Sequence, residues 1–129
     1  MKNQQFSLLM SEVSQMVQGR NIHVRDGEAL VCTYDEWSCR IENGDEIGLD
    51  GQIILLVKLE SFFDEHHALR WNGDFGITQD GYIAILSSEE RFYVRHVTMP
   101  THPQKVLDML SQTISAANQL KGELQSLCG

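Results

Sequence analysis

Apolar residues near the start of the chain recur at Phe6, Leu9, Met10, Val13, Met16 and Val17, with Ser7, Glu12, Ser14 and Gln15 between them. That spacing predicts an amphipathic helix with one apolar stripe, and Gly19 stands where a terminating glycine belongs. The rhythm then becomes that of strands. Ala29-Leu30-Val31-Cys32-Thr33-Tyr34 is β-prone and follows the turn-forming Arg25-Asp26-Gly27-Glu28. Asp35-Glu36 predicts a tight turn into Trp37-Ser38-Cys39-Arg40-Ile41, which alternates as a half-buried strand should. Glu42-Asn43-Gly44-Asp45 breaks it. The run Gln52-Ile53-Ile54-Leu55-Leu56-Val57-Lys58-Leu59 is apolar on both faces, which predicts a central strand covered on two sides. Turns this short favour an antiparallel meander.

The second half adds a short helix, further strands and a closing helix, without internal repeat. Ser61 offers an N-cap, and Phe62 to Trp71 has helical spacing, ended by Asn72-Gly73-Asp74. Phe75-Gly76-Ile77-Thr78-Gln79 and Tyr82-Ile83-Ala84-Ile85-Leu86 flank Asp80-Gly81, a pair suited to a hairpin turn. Arg91 to Val97 is another alternating strand. A closing helix begins near Pro103, with Val106, Leu107, Leu110, Ile114, Ala117, Leu120 and Leu124 in one stripe. At about 22 residues it would span about 33 Å. The expected architecture is α+β in a single domain over residues 1–129: an α-β-β-β-α-β-β-α order, with a twisted antiparallel sheet and helices packed on it.

Composition narrows the function. The chain has 129 residues, of which 42% are hydrophobic, enough for one core. Ten basic residues face eighteen acidic ones, a formal charge of −8. This acidic protein carries the field opposite to the one that nucleic acid or an anionic membrane surface attracts, so neither is an expected partner. No apolar run reaches the roughly 20 residues of a membrane helix. Met1-Lys2-Asn3-Gln4-Gln5 does not read as a signal peptide, which makes the bacterial cytoplasm the expected location. Cys32, Cys39 and Cys128 match no zinc spacing; if Cys32 and Cys39 lie on neighbouring strands they read as small buried hydrophobes.

The search for chemistry yields no positive signal. His66 and His67 point about 100° apart on a helix and do not share one ion easily. Asp45, Glu46 and Asp50 miss the calcium-loop register and read as a solvated turn. Glu89-Glu90 reads as a solvated loop, with nothing to give the two carboxyls distinct environments. Nucleophile-elbow, phosphate-loop and dinucleotide patterns are absent from the sequence. No catalytic, cofactor-binding or metal-binding residue is assigned, and no enzyme activity is expected.

Phe62, Phe63, Leu69, Trp71 and Phe75 crowd around a helix too short to bury them all. Aromatic residues are enriched at interface hot spots. Two or three of them buried per subunit, at about 1.5–3 kcal/mol each, would give a two-fold dimer roughly 6–18 kcal/mol. Association costs an estimated 4–15 kcal/mol, so a homodimer is feasible.

The order of elements, the length and the acidity resemble the class I type III secretion chaperones, the Tir-chaperone family. The likeness runs from Phe6 to about Leu124. It is densest at Ala68-Leu69-Arg70-Trp71-Asn72, Phe75-Gly76-Ile77, Thr78-Gln79-Asp80-Gly81-Tyr82, Val97-Thr98-Met99-Pro100 and Ala116-Ala117. The resemblance implies a cytoplasmic, virulence-associated homodimer that holds the N-terminal segment of a secreted effector partly unfolded and soluble and promotes its export. The bound segment would add an edge strand and drop alternate side chains into apolar grooves. Carried over, Val31, Thr33, Trp37, Cys39 and Ile41 are the effector-binding candidates, and Phe62, Phe63, Trp71 and Phe75 the dimer-interface candidates. Two other readings compete with it. One is a YbjN-like adaptor or regulatory domain of similar fold. The other is a small ligand-binding protein whose site gathers dispersed residues such as His23, His66 and His96.

Overall fold

The computed structural model describes residues 2–17, 23–25, 29–59, 81–85 and 90–128. Its first helix, α1 (Lys2–Met16), precedes strands β1 (His23–Arg25), β2 (Ala29–Tyr34) and β3 (Trp37–Asn43). A short 3-10 turn over Gly44–Ile47 leads to β4 (Gln52–Leu59). Strands β5 (Tyr82–Ile85) and β6 (Arg91–Thr98) and the long helix α2 (Pro103–Cys128) complete the described chain. The expected short helix over 62–71 and strand over 75–79 lie outside the described residues.

Among the described residues the strands form one antiparallel sheet in the order β1-β2-β3-β4-β6-β5. β4 is central, as its two-faced apolar sequence predicted, and Ile53 through Val57 are all buried. One side chain in two points to each face. The register therefore puts Leu30, Cys32, Cys39, Ile41, Ile53, Leu55, Val57 and Tyr93 on one face. Both helices cover that face. Phe6, Leu9, Met10, Val13 and Val17 of the α1 segment meet Leu30, Ile41, Ile53 and Leu55 together with Val106 and Leu107. Further along α2, Leu110, Ile114, Ala117 and Leu120 pack on Cys32, Cys39, Val57, Ile83 and Tyr93. On the opposite face Ile54, Leu56, Phe92 and Val94 form a separate buried cluster, with Leu49 and Ala84 against it.

Three elements depart from expectation. β1 is three residues long, too short to show as a pattern, and exists through its pairing with Ala29–Val31. Met16 is 39% exposed, because at 100° per residue it lies about 80° off the centre of the α1 stripe. Helix α2 is 26 residues, about 39 Å, and outruns the expected length. Pro103 opens it, and the His102 carbonyl accepts from the Lys105 and Val106 amides. Buried Thr113 is satisfied within the helix, its hydroxyl donating to the Met109 carbonyl at 2.7 Å.

Two turns fix the sheet. Between β3 and β4, the Asn43 side chain accepts from the Asp45 amide at 3.1 Å, and the Asp45 carboxylate accepts from the Gly51 amide at 3.0 Å. The acidic segment thus builds its own turn, with Gly48 closing the 3-10 helix at φ 82°. The β2–β3 hairpin turns on Asp35 and Glu36, both left-handed at φ 52° and 69°. Two-residue hairpins demand that geometry and prefer Asn-Gly or Asp-Gly for it. Here glutamate stands where glycine would be relaxed.

Candidate functional site

The exposed side of α1 carries a side chain that the core does not use. Leu8 lies about 200° around the helix from Phe6 and is 66% exposed. Beside it, Gln5, Leu8, Leu9 and Glu12 form one wall of a groove of about 370 Å³, and Met99, Pro100 and Thr101 form the other. That second wall is fixed by the ladder: Gln52 pairs with Thr98, and the next amide, of Met99, donates to the Gly51 carbonyl at 2.9 Å. A second concavity of about 480 Å³, lined by Gln4, Ser7, Leu8 and Ser11, lies on the outer side of the same leucine. Leu8 thus stands as a ridge between two hollows.

The five sequence-derived effector candidates do not form one surface. The two-residue turn sets Tyr34 opposite Trp37, Cys32 opposite Cys39 and Leu30 opposite Ile41. Trp37, Cys39 and Ile41 therefore share the helix-covered face. Cys39 and Ile41 are buried in the core, at 1% and 0% exposure, and support a surface without forming it. Trp37, at the end of that face, is partly buried against the same core. Val31 and Thr33 lie on the other face, opposite Arg40 and Ser38, and both are half-buried. The dimer candidates Phe62, Phe63, Trp71 and Phe75 lie outside the described residues.

At the edge of the sheet, β1 pairs with β2 through Ala29, Leu30 and Val31. The hairpin turn makes Tyr34 and Trp37 a hydrogen-bonded pair, so the N–H and C=O of Thr33 project away from β3. Among the described residues no strand pairs with Thr33 on that side.

Cys32 and Cys39 are buried thiols, directly opposed across β2 and β3. Burial, reinforced by the neighbouring Cys32, pushes the Cys39 thiol up to about 12, although a backbone hydrogen bond at Tyr34 works against the shift. Its Sγ donates to the Trp37 carbonyl at 3.4 Å. A thiol so placed is a core group, with almost no thiolate near neutral pH.

The scattered histidines do not converge through their strands. His96, on β6, is hydrogen-bonded through Nε2 to the Tyr82 hydroxyl at 2.7 Å, and the two rings meet edge to face. His23 belongs to β1, four strand spacings away, or about 19 Å. His66 and His67 lie outside the described residues. Among the described residues no three His, Cys, Asp or Glu side chains group as metal ligands. No helix there is long and apolar enough to cross a membrane.

No protein-family model matches the chain, and no curated protein matches it. Among solved structures it is similar to a chain of the HopA1-SchA chaperone–effector complex, with a TM-score of 0.61 and 8% sequence identity. The likeness covers 96% of this chain and 95% of the other. At that identity what is shared is the fold: an α+β layout end to end.

The α1 groove does not show in the periodic stripe, because Leu8 falls between the stripe residues Phe6 and Leu9.

Proposed function

We propose that this chain is a bacterial cytoplasmic chaperone for a type III secreted effector. It binds the effector's N-terminal segment in extended form, keeps it partly unfolded and soluble, and promotes its export. The observation that carries this reading is Leu8, strongly exposed between two hollows on a helix whose Phe6, Leu9, Met10 and Val13 are buried in the core. The fold likeness to a chain of a chaperone–effector complex supports it.

In this reading apolar side chains of the segment fill the hollows beside Leu8, Leu9 and Met99. A stretch of its backbone extends the sheet at Thr33, and Trp37 offers an aromatic contact at the hairpin end. Val31 flanks the edge, while Cys39 and Ile41 hold the sheet behind it. A homodimer formed through Phe62, Phe63, Trp71 and Phe75 would present two such surfaces. The reading assigns binding alone to the chain, with no catalytic step and no cofactor.

Co-expression with the first hundred or so residues of secreted proteins from the same genome tests it, since segments of that kind are the ones β-strand addition would capture. A stable soluble complex is the expected result. Leu8→Asp should weaken capture by about tenfold or more, equivalent to about 1.4 kcal/mol, while leaving the melting temperature unchanged because the side chain is mostly in water. Capture of no segment, or equal capture by the Leu8→Asp chain, contradicts the reading.

A further inference from the structure

A second hollow lies at the opposite end of the sheet from the Met99 groove, under the β2–β3 hairpin. Its volume is about 280 Å³, and Glu36, Trp37, Ser38, Lys58 and Lys121 line it. Cavities that take a whole small ligand begin near 300 Å³, so this one lies just below that size.

Its electrostatics run against those of the chain. The protein carries −8, yet two of its four lysines, one on β4 and one on α2, converge here. Lys58 pairs with Glu90 at 2.9 Å, with both side chains more than a third exposed. Lys121 is different. Its ammonium sits 5.6 Å from the centre of the Trp37 ring, and among the described residues no carboxylate pairs with it. The ring stabilises the cation while leaving its remaining donors for a ligand.

The backbone adds an independent observation. Asp35 and Glu36 hold left-handed conformations that cost roughly 1–2 kcal/mol each in a non-glycine residue. The two-residue turn demands that geometry. Here it sets Trp37 at the start of β3 and the Glu36 carboxylate on the wall of the hollow.

We infer that this hollow anchors a carboxylate side chain of the bound polypeptide, held between Lys121 and Lys58 with its aliphatic stem against Trp37. The inference rests on the chaperone reading and names a requirement for the partner: an acidic residue in the extended segment, just beyond the stretch paired at Thr33. Thr33 lies opposite Ser38, which lines the hollow, so Thr33 and the anchor are about one strand spacing, ~4.8 Å, apart. Glu36 competes in the same field as the arriving carboxylate and sets the strength of the anchor.

Fluorescence anisotropy on the full-length protein tests this with a labelled dodecapeptide alternating leucine and glutamate and its leucine–glutamine counterpart. The glutamate peptide should bind about tenfold tighter, as expected for hydrogen bonds to a charged group. Lys121→Met should abolish the difference, Lys121→Arg should preserve it, and Glu36→Gln should tighten binding of the glutamate peptide alone. Equal affinity of the two peptides, an unaltered preference in Lys121→Met, or full competition by inorganic phosphate at the peptide's concentration would each overturn the anchor. If secreted segments are still captured in those cases, the chaperone reading stands without it. If neither peptide nor any secreted segment binds, both fall.

Discussion

Single residues show where the core ends and the working surface begins. Cys39 and Trp37 are two positions apart on one strand, yet one is a sealed thiol and the other a half-open ring. The folded protein keeps the Cys39 proton up to about pH 12, against 9.0 for an ordinary thiol. Between those values the unfolded chain releases a proton that the folded chain retains. Stability contributed by this group is therefore complete below about pH 9 and declines as pH rises towards 12. Chemical denaturation across that range should show a falling midpoint that flattens in Cys39→Ala. Iodoacetamide at pH 8 should leave Cys32 and Cys39 unmodified in the native protein, as peptide mass spectrometry would show. Rapid native-state labelling of either contradicts their burial. Gly81 illustrates the same tightness: a Cβ there would collide with the ring of Tyr93, which has no exposed surface.

Secondary-structure elements explain what was legible and what was not. β2 and β4 match their predicted bounds because both are bordered by turn residues and dense in β-branched or apolar side chains. β3 continues to Asn43, beyond its expected end at Ile41, because the Asn43 side chain caps the following turn instead of breaking the strand. The division of Val31 and Thr33 from Trp37, Cys39 and Ile41 was also readable. Once Asp35-Glu36 is taken as a two-residue turn, the strand period places odd-numbered residues of β2 and β3 on opposite faces. The Met99 wall was not readable, because only the ladder brings residues distant in sequence together beside α1. At this scale the hairpin makes a prediction. Glu36→Gly relieves a left-handed glutamate at a small entropic cost and should raise stability by about 0.5–1 kcal/mol. Urea titration should move the midpoint upward; a lower midpoint would show that the glutamate makes compensating contacts.

The two sheet faces bury apolar clusters of different size. One face is closed by α1 and α2, and burial of their stripes holds the fold. The other keeps a smaller apolar cluster about Ile54, Leu56, Phe92 and Val94. The acidic surface suits encounter with polypeptides of basic or mixed charge, while the hairpin end offers local positive charge for an acidic residue. If the aromatic segment 62–75 pairs two copies, Phe63→Asp should convert a dimer to monomers in light scattering. An unchanged dimer, or a wild type that is already monomeric, removes that segment from an interface.

Backbone amide hydrogen exchange, measured with and without a co-purified secreted segment, tests polypeptide capture most directly. New protection should appear on the first turns of α1, at Met99–Thr101 and at the Thr33 edge of β2, with α2 unchanged. Protection confined to α2 and β4, or none anywhere on the α1 and β2 surfaces, would contradict the account.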